Sequence, residues 1–141
     1  LEEVHRLLVK DMSVGFGFRQ KAVGVIGSKY RPLDNRYQIA EAVDALAKAV
    51  SRGKTAYAKA LTALLGISYI QPFEDGNKRA ARMMANALLF AHRAAPLSYR
   101  SADEKEYREA MLAFYELLSV VPFKRIFTEQ YLFAAKNYAV R

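Results

Sequence analysis

A dense polar segment, Gln71-Pro72-Phe73-Glu74-Asp75-Gly76-Asn77-Lys78-Arg79-Ala80-Ala81-Arg82, lies between two largely apolar stretches of this chain. An acidic pair, a glycine, an amide and two cations precede or open a helix there, where free backbone N–H groups and the helix dipole favour an anion. Gly76 lets the backbone approach a ligand closely. Arg79, Arg82, Asn86 and Arg93 follow at steps of three, four and seven, which on a helix confines them to an arc of about 60°. An oligophosphate along that stripe would satisfy its first two or three members through charge-assisted bonds. Asp75 would then serve as a magnesium ligand, because hard cations take carboxylate oxygen while staying bound to substrate phosphate. The same residues also read as a plain loop, with Asp75 capping the helix that begins near Asn77 and the arginines paired with carboxylates such as Glu74. Physics alone leaves both readings open.

Apolar spacing supplies the elements that must hold these groups. Leu1, Val4 and Leu8 recur at helical intervals and stop at Asp11, before Gly15 and Gly17. Between Arg19 and Pro32, the residues Val23, Val25, Ile26 and Tyr30, with Gly24 and Gly27 interleaved, predict two short strands folded as a hairpin. Ile39, Val43, Leu46 and Val50 mark a second helix closed by Gly53, and Thr55 caps a third that carries Tyr57, Leu61, Leu64, Leu65 and Ser68. The next helix runs through Met83, Met84, Leu88 and Leu89 until Pro96. Ser101 to Glu104 read as a capping box ahead of Tyr107, Met111, Phe114 and Leu118, and this helix extends toward Pro122. Thr128 is expected to cap the last helix, with Phe127 stapled against Leu132. With no repeat or linker, the expectation is a single, mostly α domain over residues 1–141, of about six helices with a short β-hairpin near the N-terminus.

The 141 residues are 52% apolar and 26% charged, the balance of one compact domain rather than a disordered chain. No apolar run approaches about 18 residues, so neither a membrane span nor a cleavable signal is expected. The absence of cysteine removes disulfides, thiolate metal sites and a cysteine nucleophile, and is compatible with a reducing cytoplasm. The chain opens at Leu1 directly on a helix, as a piece of a longer or processed protein would. Twenty-two Lys and Arg against fourteen Asp and Glu give +8, a field that attracts phosphate-bearing partners. The cations are spread without a tract of five or more, so a generally basic surface accounts for the sum and nucleic acid is the disfavoured partner. His5 and His92 read as core or surface histidines, and Tyr115, Phe123 and Phe127 as core rather than interface.

The twelve-residue segment resembles the signature of the Fic/Doc family, His-Pro-Phe-x-Asp/Glu-Gly-Asn-Gly/Lys-Arg-x-x-Arg, and every specified position except the first agrees. The order of helices, with a hairpin upstream, is similar over most of the chain. The resemblance implies a helical domain that moves part of a nucleotide, usually AMP from ATP, onto a protein hydroxyl. It implies that Asp75 holds Mg²⁺, that Gly76 and Asn77 cradle the α-phosphate region, and that Arg79 and Arg82 hold the outer phosphates. Lys78 belongs to the same phosphate loop, and Phe73 would anchor that loop in the core. Val23, Gly24, Val25 and Ile26 resemble the family's flap, which takes an extended segment of a target protein by strand addition.

Position 71 is Gln where the family has the histidine that deprotonates the attacking hydroxyl. An amide cannot be a useful base near neutral pH. The expectation is therefore an ATP-binding domain with impaired transfer. Residual AMP transfer is one alternative, and phosphoryl transfer is another, since Asn-Lys-Arg resembles the Doc-type kinases while Arg82 resembles the adenylyltransferases. A basic module for nucleic acid or an acidic protein is a third. Many family members are restrained by a helix with the pattern Ser/Thr-x-x-x-Glu-Gly/Asn, and that pattern is absent here. An inhibitory helix would come from upstream sequence or from an antitoxin-like chain in trans. The resemblance places such a protein in the cytoplasm, or in a host cytoplasm if it is a delivered effector.

Overall fold

The computed structural model describes residues 1–138, which form six helices: α1 (Glu2–Leu8), α2 (Arg36–Arg52), α3 (Ala56–Ile70), α4 (Asn77–Ala91), α5 (Glu104–Leu117) and α6 (Val121–Tyr138). The centre is the pair α3 and α4, joined by the short loop that holds the polar segment; α2 packs on α3, α1 on α4, and α5 on α6. Helix α3 suits the middle position because its residues are apolar nearly all round, with Ala60, Leu64, Ile67 and Ile70 buried. Small residues bring its neighbours close. A β-carbon at Gly66 would overlap the Leu46 side chain of α2, while Ala81 and Ala85 of α4 are buried in the core. Tyr115, Phe123 and Phe127 complete that core, as their aromatic character suggested. No described helix is long and apolar enough to cross a membrane.

Several element boundaries differ from the sequence reading for identifiable reasons. Among the described residues there is no β-strand. Residues 19–33 do turn back, with Gly27 at φ +81° and Ser28 N–H donating to Val25 O at 3.1 Å. The two limbs exchange no ladder of main-chain bonds; in the second limb the Lys29 N–H and the Tyr30 hydroxyl bond to Glu116 of α5 and Tyr69 O of α3 instead. Val23 and Val25 are half-buried while Gly24 and Ile26 are exposed, so the alternation was real and only its partner strand is missing.

Helix α4 ends at Ala91, five residues before Pro96. Arg93 takes the left-handed conformation at φ 60°, and the Arg93 and Ala94 N–H groups donate to Phe90 O and Leu89 O. This is a Schellman closure, and it ends the helix without help from the proline. Asp103 alone caps α5, accepting from Glu106 N–H at 2.9 Å. Ser101 is turned away to satisfy the buried Gln130 of α6. Helix α6 starts at Val121, so Pro122 sits in its first turn, where the missing N–H costs nothing. Thr128 lies within that helix and donates to Lys124 O at 2.8 Å rather than capping.

Candidate functional site

Gln71 ends α3 in the left-handed conformation, φ 50° and ψ 58°, which is uncommon outside glycine. Its main chain is held at both ends: Gln71 N–H donates to Ile67 O at 2.9 Å and Gln71 O accepts from the Arg19 guanidinium at 2.6 Å. The side chain is buried, and its Nε2 donates to Ser68 O at 2.7 Å. The Tyr115 hydroxyl is also buried, beside Ser68 and Gln71 but without hydrogen-bond geometry to any group. Burial, and then the neighbouring Tyr107, push it up to about 12, against a smaller opposing pull from Ser68 and Gln71.

Beyond Gln71 the loop is built around Phe73, which is fully buried and stacks on His5 with centroids 3.7 Å apart and planes within 3°. The Asn77 side chain clamps the same residue, its Oδ1 accepting from Phe73 N–H at 2.9 Å and its Nδ2 donating to Phe73 O at 2.8 Å. His5 Nε2 meets Asp75 O at 2.8 Å, which fixes the loop from α1. Position 5 falls four residues after Leu1 and four before Val9. That spacing put it on the apolar face of the first helix, and it was the available sign of its role.

The N-terminus of α4 is open. Gly76 is its N-cap at φ 80°, and no side chain caps it, whereas α2, α3 and α5 are capped by Asn35, Thr55 and Asp103. Asp75 does not cap α4 either: its Oδ1 accepts from the N–H of Gly76, one residue too early. A β-carbon at Gly76 would lie 3.3 Å from Val9 and, like the positive φ, explains the glycine. Ala80 N–H is the first to bond back, to Gly76 O, so the N–H groups of Asn77, Lys78 and Arg79 have no intrahelical acceptor. With its side chain spent on Phe73, Asn77 offers a ligand only its main chain.

This helix end, Gln71, Glu74, Asp75 and the segment Val23–Ile26 line one groove of about 370 Å³, together with Lys78 and Arg79. Of the sequence-predicted residues, Gln71, Asp75, Asn77, Lys78, Arg79 and Val23–Ile26 thus converge, while Arg82, Asn86 and Arg93 stand outside this groove. The Arg82 guanidinium lies 5.0 Å from the Tyr99 ring centroid and 4.8 Å from that of Tyr107, in adjoining space beneath Val25 and Ile26 that Lys78 also lines. Asn86 is fully engaged, bonding both N–H and C=O of Leu97, and Arg93 lies past the end of the helix. The polar stripe therefore divides after Arg82. Neither Arg79 nor Arg82 is ion-paired among the described residues; Arg79 approaches only Met12 Sδ, at 3.5 Å. An equally large groove between α5 and α6 is lined by Glu106, Glu109 and Glu129 against a single cation, Arg125, which is paired with Glu129, and so disfavours phosphate.

The segment over the groove is fastened at its far side by Glu116 of α5, whose carboxylate accepts from Ser28 Oγ at 2.9 Å and Lys29 N–H at 3.1 Å. Those bonds, the main-chain one foremost, hold Glu116 below its ordinary value of 4.5. A lowered acid pKa stabilises the clasp above the ordinary value, and that contribution is lost as pH falls through the lowered one. The Lys29 amide NMR shift is accordingly expected to titrate with a midpoint below 4.5. Glu116→Gln should abolish the titration, and persistence in that variant would assign it to another group. Neither Glu116 nor Arg19 carried a sequence signal beyond, for Arg19, its position among glycines and aromatics.

The chain is thus a six-helix domain in which an uncapped helix N-terminus lies under an extended segment. Residues 1–89 match the Fic/DOC family profile, more than half of the 141, and the chain belongs to that family. Among solved structures it resembles BepC, a VirB-translocated effector of Bartonella tribocorum determined with bound AMPPNP, at TM-score 0.63 and 20% identity over 79% of this chain and 56% of that one. It also resembles the N-terminal Fic domain of a putative cell filamentation protein, a VirB-translocated Bep effector of Bartonella quintana with bound ADP, at TM-score 0.62 and 20% identity over 77% of this chain and 54% of that one. The chain thus spans about half the length of each. Comparison with curated protein sequences finds no match.

Proposed function

We propose that this domain binds ATP with Mg²⁺ at the N-terminus of α4 and belongs to a lineage of protein adenylyltransferases, with transfer impaired at Gln71. The observation that carries the reading is the uncapped start of α4 facing the same groove as Gln71, Lys78 and Arg79. The AMPPNP and ADP bound to the two Bartonella domains support it by analogy of fold. In this reading the Asn77, Lys78 and Arg79 N–H groups receive the α- and β-phosphates, and the Arg79 and Arg82 guanidinium groups take the outer ones. Asp75 fits a magnesium ligand: it lines the groove beside the start of α4, and Mg²⁺ on a nucleotide needs only one or two carboxylates beside phosphate and water. The metal would shield phosphate charge.

The backbone of Val23, Gly24, Val25 and Ile26, which lacks a partner strand among the described residues, is the edge to which an extended target segment would add. Ile26 is 97% exposed at its tip and would enter a target pocket. Phosphoryl transfer is the second reading, because the Asn77-Lys78-Arg79 run resembles the Doc-type kinases and Lys78 lines the groove. An inhibitory helix supplied by another segment or chain would act by engaging Arg82. A cytoplasm, or a host cytoplasm for a delivered effector, supplies the ATP this chemistry uses.

Isothermal titration with Mg·ATP tests the proposal. Saturable binding is expected, and Arg79→Ala should weaken it roughly ten- to a hundredfold, the worth of a lost charged hydrogen bond. Absence of binding to the natural sequence would sink the reading. ATP labelled at the α- or γ-phosphate separates AMP transfer from phosphorylation.

A further inference from the structure

Arg19 is 1% exposed, and its guanidinium meets carbonyl groups alone. Nε donates to Gln71 O at 2.6 Å, Nη1 to Lys21 O at 2.9 Å, and Nη2 to Ile70 O at 3.3 Å and to Leu33 O. Its own N–H donates to Pro72 O at 2.9 Å. These acceptors come from two separate stretches of chain. Ile70 and Gln71 are the last carbonyls of α3, where the helix dipole favours a cation. Lys21 and Leu33 are the two ends of the segment that overhangs the groove. A buried cation is tolerated only when its donors are satisfied, and a planar fork can reach acceptors on two sides where the single ammonium of lysine cannot.

We propose that Arg19 is a positioning residue that joins the overhanging segment and the Gln71 loop into one unit, so that a nucleotide at α4 and an extended peptide on Val23–Ile26 alter each other's affinity. The identity of those two ligands rests on the function proposed above; the joint itself does not. Gln71 sits in a left-handed conformation that costs of the order of a hundredfold in population or less when nothing holds it, and Arg19 grips the carbonyl of that residue. The same guanidinium fixes both ends of the overhang, so movement of one part changes the bonds available to the other. By reciprocity, any tightening of the overhang by nucleotide must appear as tighter nucleotide binding in the presence of peptide.

Amide hydrogen exchange on the full chain, read by NMR with increasing urea, is the test. In the natural sequence without ligand, the protected amides of residues 19–33 and 70–76 should open together, with one denaturant dependence, below the global unfolding limit. Separate openings would overturn the proposal whether or not nucleotide binds. Mg·ATP should protect the amides of Val23–Ile26 as well as those at the start of α4. In Arg19→Lys the ligand-free exchange of both stretches should speed up about tenfold or more, as expected for lost charged hydrogen bonds. In the same variant α3 and α6 keep their protection, and the ATP-linked effect on Val23–Ile26 disappears while that on α4 remains. Uniform loss across all helices in Arg19→Lys would mean a merely structural arginine. No ATP protection at α4 in the natural sequence would refute the nucleotide reading and the ligand coupling, and leave the joint to be judged by the ligand-free openings.

Discussion

Gln71→His is expected to raise AMP transfer onto protein by about 10²–10⁴-fold, the usual worth of a positioned base. The backbone asks for no adjustment, because histidine is among the residues enriched in the left-handed region. The Ser68 carbonyl that now accepts from Gln71 Nε2 would accept from imidazole Nδ1–H, fixing the tautomer and leaving Nε2 as the acceptor. That nitrogen would take the proton of a target hydroxyl as its oxygen bonds to the α-phosphorus and pyrophosphate leaves. Label from α-labelled ATP, followed on a cell lysate, should appear on protein bands that the natural sequence marks weakly or not at all. ATP affinity should change little, since Gln71 touches no group assigned to phosphate. Unaltered labelling with ATP binding intact would show that the defect lies elsewhere than at position 71.

Asn77→Ala should produce the largest loss of stability. Asn77 is 5% exposed, and its amide satisfies both main-chain groups of the fully buried Phe73. Alanine leaves that N–H and C=O buried without partners, at about 1–3 kcal/mol each. The sum, about 2–6 kcal/mol, corresponds to a fall in Tm of roughly 6–24 °C for a domain of this size. ATP binding should fall with it, because the same clamp sets the turn that presents the α4 N-terminus. Asn77→Asp retains the acceptor for Phe73 N–H but cannot donate to Phe73 O, and should lie between the two. Thermal unfolding by circular dichroism measures all three. An unchanged melt for Asn77→Ala would mean that the Phe73 main chain finds other partners and that the loop does not depend on this clamp.

The helices were legible where burial is periodic. Ile39, Val43, Leu46 and Val50 of α2 turn inward at the spacing read from sequence, and Thr55 announces α3 by a local bond, whereas Leu118, expected on the inner face of α5, lies past that helix and is exposed. The polar segment was legible because its density of charge contradicts its apolar flanks. Less visible were features decided by distant partners. Val23 to Tyr30 has the alternation of a strand, but whether a ladder forms depends on what else competes for its limbs, and here Arg19, Tyr69 and Glu116 do. Asn77 looked like a phosphate ligand in the family's pattern, yet its amide is committed to Phe73 four residues earlier. Arg82 looked free to meet a phosphate, whereas two tyrosine faces, Tyr99 in the α4–α5 connection and Tyr107 in α5, already flank it. Tertiary competition of this kind leaves no mark in local spacing.

The unusual backbone at position 71 is secured through its amide and carbonyl, and histidine is among the residues that adopt it, so glutamine and histidine can exchange there without altering its shape. Glutamine and histidine codons differ by a single base. A lineage could therefore silence such a domain, or restore it, by the smallest genetic step available, without first rebuilding anything around it.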